Sequence, residues 1–146
     1  MRAIKNRKAE HEFYIIQSLE VGIVLTGSEI KSIRAGKINF KDSYAKIENN
    51  ECWLMNFHIS AWEKASFFNH DPERKRKLLL NKQEIKKLRV KVEEQGMTLI
   101  PVEIYINEMG YCKLKLALAK GKHSYDKRET LQKKDLERER DRDNKP

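Results

Sequence analysis

Four histidines, His11, His58, His70 and His123, are spread along the chain. None stands at the HxxxH or HxE spacing that sets two ligands on one metal ion. Cys52 and Cys112 are isolated and make neither a CxxC pair nor a disulfide framework. Each falls in an apolar stretch and reads as a small core residue rather than a reactive thiol. There is no glycine-rich phosphate loop and no GxSxG elbow. Carboxylates are plentiful, but most lie beside Lys or Arg, the pattern of surface ion pairs. The expectation is a protein that is not an enzyme and needs no metal or cofactor.

What the side chains can do is bind a polyanion. Lys and Arg number 31 against 22 Asp and Glu, a net charge of +9, which favours nucleic acid through its field and through counterion release. The positive charge falls in three runs: residues 1–8, Arg74 through Lys91, and the segment after residue 120. Arg offers planar, bidentate phosphate contacts and Lys a mobile point charge. Any one run reads equally well as a solvated face; three around a small domain favour RNA or DNA. A membrane surface is the rival, but no apolar run approaches the ~18–20 residues of a spanning helix. The first eight residues lack the apolar stretch of a signal peptide, so the cytoplasm is the expected compartment. Among the aromatics that could stack on bases, Tyr14 and Trp62 read as core, and Phe67 and Phe68 lie in a charged loop. Tyr125 has no apolar surroundings, standing between Ser124 and Asp126-Lys127-Arg128, and reads as a stacking residue.

These side chains need elements to hold them. With 146 residues and 39% hydrophobic content, the chain is expected to form one domain around one core. Residues 1–8 read as a flexible basic arm. Residues 11–16 and 21–25 read as strands, and Thr26-Gly27-Ser28-Glu29 opens a short helix with Ile30 and Ile33 on one side and Gly36 as its stop. Residues 43–47 and 52–59 form a hairpin about Asn49-Asn50, with Trp53, Met55, Phe57 and Ile59 sharing a face. Residues 60–77 read as a loop. The helix over 81–95 has an Asn81/Glu84 capping box, a Leu80–Ile85 staple and a Gly96 stop. Strands over 98–107 and 111–119 follow, the latter with Leu114, Leu116 and Leu118 on one face and Lys113, Lys115 and Ala117 on the other. In residues 120–146 the large aliphatic side chains are Leu131 and Leu136, too few for a core, yet Asp126 and Glu129 have capping-box spacing. This tail is expected to be disordered when free and helical on a partner. The pattern predicts a mainly β fold with flanking helices, an antiparallel barrel of the oligonucleotide-binding (OB) type.

Read in order, Asn6-Arg7-Lys8-Ala9, the run Glu20 to Arg34, Asp42-Ser43-Tyr44, Asp71-Pro72 with Arg74, Arg76 to Leu80, Ala119-Lys120-Gly121-Lys122 and Asp126-Lys127-Arg128 are familiar. By these residues the chain resembles the small protein B family, the SsrA-binding proteins that partner transfer-messenger RNA (tmRNA) in bacterial trans-translation. The resemblance spans nearly the whole sequence. It implies an OB-type barrel over residues 9–121 that binds the transfer-RNA-like domain of tmRNA. Asn6, Arg7, Lys8, His11, Glu20, Lys113, Lys120, Gly121 and Lys122 are the implied RNA-binding positions. It further implies that the tail, residues 122–146, enters the decoding centre and messenger channel of a stalled ribosome as a helix. Tyr125, Asp126, Lys127, Arg128, Leu131, Lys133 and Lys134 are the tail positions expected to act there. Elongation factor Tu and alanyl-tRNA synthetase are implied partners on the same RNA, and a monomer is the expected state. A carboxylate at position 20 is unusual on an RNA-binding face. It can accept hydrogen bonds from base amino or imino groups and 2′-hydroxyls, or it can form an ion pair that orients a nearby Lys or Arg. The alternative function is a general structured-RNA-binding barrel, such as a ribosome-associated or initiation-type factor.

Overall fold

Asn6, Thr26 and Asn81 each stand three residues before a backbone amide that their side-chain oxygen caps, at Ala9, Glu29 and Glu84. Each opens a helix, because a short polar side chain satisfies a donor that the first turn leaves unpaired. In the computed structural model, which describes residues 1–64 and 69–122, the elements run β1 (Ile4–Lys5), α1 (Arg7–Glu12), β2 (Phe13–Ile23), α2 (Gly27–Arg34), β3 (Ile38–Asn39), β4 (Tyr44–Glu48), β5 (Glu51–Met55), β6 (His58–Ile59), β7 (Arg76–Leu79), α3 (Lys82–Gln95), β8 (Thr98–Ile106) and β9 (Cys112–Gly121). The expected Asn81/Glu84 capping box is formed, Thr26 and Glu29 make a second one, and Gly96 ends α3 in the left-handed region at φ 65°.

The mainly β architecture with flanking helices is the one the strand pattern predicts. Strands pair antiparallel in the order β8-β4-β5-β7-β2-β9, and β9 pairs back onto β8, closing a ring of six. Strand β1 adds to the flank of β8, and β3 with β6 makes a separate small ribbon. Inside lie Val21, Ile23, Leu54, Leu78, Leu99, Ile104, Leu114, Leu116 and Leu118, with Ile33 of α2 and Leu88 of α3 packed against them. Cys52 and Cys112 are free and buried in this core. Burial pushes both thiols up to about 12, which keeps them protonated and unreactive.

Four expectations are corrected. Residues 1–8 are not a loose arm: Ile4 and Lys5 pair with Ile104 and Glu103, and Asn6 is buried. Their charges face solvent while Ile4 and Asn6 face the body, a division that composition does not reveal. The expected strand over 11–16 begins only at Phe13, because Asn6 starts a helix that runs to Glu12; from Phe13 it continues unbroken to Ile23. The segment assigned to a loop ends in β7, whose Arg76-Lys77-Leu78-Leu79 is too short and too charged to stand out as a strand. Finally, Trp53 and Met55 do not share a face with Phe57 and Ile59. Asn56 takes φ 59° and shifts the alternation, so the buried set is Cys52, Leu54, Phe57 and Ile59. The Asn49-Asn50 turn is as expected, both residues being left-handed at φ 52° and 60°.

Candidate nucleic-acid interface

Strand β9 carries leucines inward and, on its outer face, Lys113, Lys115, Ala117 and Ala119. The two alanines are there because α1 lies on them: Ala9, Ile100, Ala117 and Ala119 form a small second core, with Phe13 and Val102 against it. A larger side chain at 117 or 119 would lift the helix away. Asn6 fixes its near end. Strand β8 is irregular between Pro101 and Glu103, and the carbonyls of Pro101 and Val102 accept hydrogen bonds from the Asn6 side-chain amide at 2.8 Å and from its backbone N–H at 2.9 Å. Asn6 therefore acts on the site from beneath, as the mount of α1. Arg7, Lys8 and His11 of that helix are exposed.

Beyond α1 the same face continues as two rows. Gly22, Lys113 and Tyr105 are in register across β2, β9 and β8, and so are Glu20, Lys115 and Glu103. The Tyr105 hydroxyl donates to Glu20 Oε2 at 2.7 Å across β9, and that hydrogen bond raises the phenol's pKa. Among the described residues Glu20 is thus oriented by a tyrosine rather than by an ion pair with Lys or Arg, and Oε2 is the oxygen so held. Gly22 leaves a dip in the first row; a Cβ there would come within 3.2 Å of Leu79 Cδ1. Leu79 forms the wall of that dip and is 54% exposed.

Several lysines elsewhere are neutralised within the protein. Lys37, Lys41, Lys46 and Lys77 are each paired with a carboxylate at 2.7–3.3 Å. Among the described residues Arg7, Lys113 and Lys115 of this face form no ion pair, although Lys8 is bound to Asp42 at 2.8 Å. That bond raises the Lys8 pKa and lowers that of Asp42. Charges left uncompensated by the protein are the ones able to take phosphates.

The second basic run belongs partly to the interior. Glu29 and Arg76 are fully buried, and Glu29 accepts from Arg74 Nη2 at 2.6 Å and from Arg76 Nε at 2.8 Å. Arg76 also donates to the Phe57 and Pro72 carbonyls. Burial pushes the Glu29 carboxyl upward, but hydrogen bonds from Arg74, the Thr26 amide and Arg76 outweigh it and hold it below the ordinary range. Lys75 lies 4.6 Å over the Trp53 ring. The alternation of β7 sends Arg76 inward, and Arg74, just before the strand and partly exposed, is tied to the same buried carboxylate, so both serve the framework.

A family model described as SmpB protein matches residues 3–146. The chain belongs to the SmpB family. It is 51% identical over 135 residues to the SsrA-binding protein of Ligilactobacillus salivarius (strain UCC118), covering 92% of this chain and 86% of that one. To the SsrA-binding protein of Desulfitobacterium hafniense (strain DSM 10664 / DCB-2) it is 54% identical over 137 residues, with coverage of 94% and 87%. Among solved structures it is similar to a chain of "tmRNA-SmpB: a journey to the center of the bacterial ribosome", at 50% identity and a TM-score of 0.70, covering 82% of this chain and 84% of that one.

The positions that the SmpB resemblance implied do not all fall together. Arg7, Lys8, His11, Glu20 and Lys113 share the outer face, and Gly121 pairs with Phe13 at its far end. By strict alternation Lys120 and Lys122 leave β9 on the other side, at the barrel mouth. There Lys120 is in register with Tyr14, and Lys122 lies 5.1 Å over the Tyr14 ring while donating to the Glu10 carbonyl at 3.3 Å. Tyr14, expected in the core, is 45% exposed at this mouth; an irregularity between Ile15 and Gln17 sets it on the same side as Lys120. Lys115, Tyr105 and Leu79 were missed. Alternation with Lys113 marks Lys115 in the sequence; nothing there joins Tyr105 to Glu20. Tyr125, Asp126, Lys127, Arg128, Leu131, Lys133 and Lys134 lie outside the described residues, as do Phe67 and Phe68. No group of His, Cys, Asp or Glu among the described residues is placed to hold a metal, and no described helix is long and apolar enough to cross a membrane.

Proposed function

We propose that this chain binds tmRNA and serves bacterial trans-translation, bringing that RNA to stalled ribosomes for rescue and peptide tagging. The observation that carries this reading is the outer face of β9 and α1, where unpaired cations surround a carboxylate oriented by Tyr105, in a chain half identical to SsrA-binding proteins. Lysines and Arg7 take phosphates; Glu20 accepts from a base or a 2′-hydroxyl, which a lysine cannot do. The part of the RNA recognised is the transfer-RNA-like domain. The protein contributes shape and charge, acting as a cytoplasmic monomer without chemistry of its own. Alanine charging by alanyl-tRNA synthetase and delivery by elongation factor Tu are done to the RNA it holds. The tail, with Tyr125, Asp126-Lys127-Arg128, Leu131, Lys133 and Lys134, works in the decoding centre and messenger channel as a helix.

A titration of the protein against the isolated transfer-RNA-like domain, with elongator transfer RNA as competitor, tests the reading. Strong preference for the transfer-RNA-like domain is expected. Equal competition by elongator transfer RNA would return the protein to a general structured-RNA barrel.

A further inference from the structure

The hairpin joining β8 to β9 is held tightly and yet shows apolar side chains to water. Asn107 organises it: its Oδ1 accepts from the Met109 N–H at 3.1 Å and the Tyr111 N–H at 3.0 Å. Its backbone N–H donates to the Tyr111 carbonyl at 2.9 Å, and its carbonyl accepts from Gly110 at 3.0 Å. Gly110 completes the turn at φ 86°, a conformation that side chains rarely adopt. On this rigid base Met109 is 80% exposed and Tyr111 61% exposed. No hydrogen bond or ring contact engages the Tyr111 side chain among the described residues.

Tyr111 is not at an arbitrary place. Counting back along β9, it falls on the side of Lys113 and Lys115, one step past Lys113. The tip is also cationic: Arg34 Nη2, in no ion pair among the described residues, lies 4.0 Å from the Cβ position at Gly110. An aromatic face flanked by uncompensated Arg34 and Lys113 fits a nucleotide: base on ring, phosphates on the cations. An apolar protein surface would leave both charges desolvated and unpaired. Because the turn is pre-ordered, little entropy is lost when the ring is covered.

We infer that Tyr111 is a base-stacking residue for an unpaired nucleotide of the bound RNA, with Arg34 and Lys113 on the neighbouring phosphates. This rests on the RNA-binding reading above and extends its face to the hairpin tip.

The test is binding of the full-length protein to the transfer-RNA-like domain, comparing Tyr111→Leu, Tyr111→Phe and Lys113→Ala. Tyr111→Leu keeps apolar bulk but not a flat π face and should weaken binding roughly tenfold, within the range for loss of one base–aromatic stack. Tyr111→Phe should bind within about twofold of the wild type, since ring stacking needs no hydroxyl. The residue is 61% exposed, so the thermal midpoint of either variant should lie close to that of the wild type. Ultraviolet cross-linking of the wild-type complex should join the Tyr111 peptide to a nucleotide. If Tyr111→Leu binds like the wild type while Lys113→Ala is weakened, the RNA face stands and the stack is refuted. Normal RNA binding by Tyr111→Leu with loss of tagging on ribosomes also refutes it, and points the hairpin at a different partner. If the wild type itself shows no preference for this RNA, the inference falls together with the reading beneath it.

Discussion

Glu20 and Glu29 stand in one stretch of the sequence, and the fold gives them opposite roles. Glu20 is exposed and held by Tyr105. Glu20→Gln retains the shape and can still accept from Tyr105, but it loses the charge. RNA binding should weaken by up to ~1.5–3 kcal/mol, tenfold or more, with the fold intact. Unchanged or tighter binding in the titration would mean that Glu20 merely positions Tyr105. Glu29 is buried between two arginines. Glu29→Ala leaves Arg76 buried without its counter-charge and should cost ~3–5 kcal/mol in urea unfolding. The folded-state pKa of Glu29 is depressed. Its contribution is therefore complete above the ordinary carboxylate range and is lost as pH falls through that range and below it. Stability should drop with acid in the wild type, and a Glu29→Gln variant should lack that component of the acid limb. The sequence marks Glu29 locally, through Thr26 three residues before it, but gives no sign of what holds Glu20. Glu20 and Tyr105 are 85 residues apart, and only strand register joins them.

Helix α1 is the element on which the candidate site turns, and it is the one that sequence patterning missed. Six residues of mixed charge with a single buried side chain, Ala9, carry no amphipathic stripe. Its signal was Asn6, three residues before Ala9, which reads as a cap only once the body beneath is known. By contrast, α2 and α3 were legible because each has a reciprocal capping box, and α3 has a left-handed glycine stop as well. Strand β9 was legible through its leucine alternation. Strand β7 was not, since four residues with an inward arginine break the rule that buried positions are apolar. The mounting role of Asn6 has a measurable consequence. Asn6→Ala removes the cap, at ~1 kcal/mol, and leaves the Pro101 carbonyl without its donor. RNA affinity should fall even though Asn6 faces away from solvent, and hydrogen exchange at the Ala9 amide should quicken. Asn6→Ser, which can still cap, should recover most of the protection. Full affinity in Asn6→Ala would show that α1 needs no such anchor.

For the molecule as a whole, division of labour between barrel and tail is the prediction that matters. RNA binding should be strongly salt-dependent, as phosphate neutralisation requires, and should survive deletion of residues 125–146. Dissociation constants of full-length and truncated protein across a salt series decide this; loss of binding on truncation at low salt would end the division. Leu131→Pro, which costs ~3 kcal/mol inside a helix, should spare RNA binding and stop peptide tagging on stalled ribosomes. Normal tagging by that variant would rule out a helical tail as the working form. The tail's composition was legible as unable to build a core, and its helical potential rests on sequence alone.

Closure of the ring by β9 also fixes when the protein becomes itself. During synthesis β2 leaves the ribosome early and must wait for both neighbours, since β7 and β9 are encoded far downstream. Until then its exposed edges have nothing to pair with, and α1 has no Ala117 or Ala119 to rest on. A nascent chain halted before β9 therefore lacks the RNA-binding face altogether, although most of its sequence is present. It carries instead an unpaired apolar strand, the usual seed of aggregation. Truncated products of this message should be insoluble and inert toward RNA, with the transition to competence falling sharply as β9 is completed.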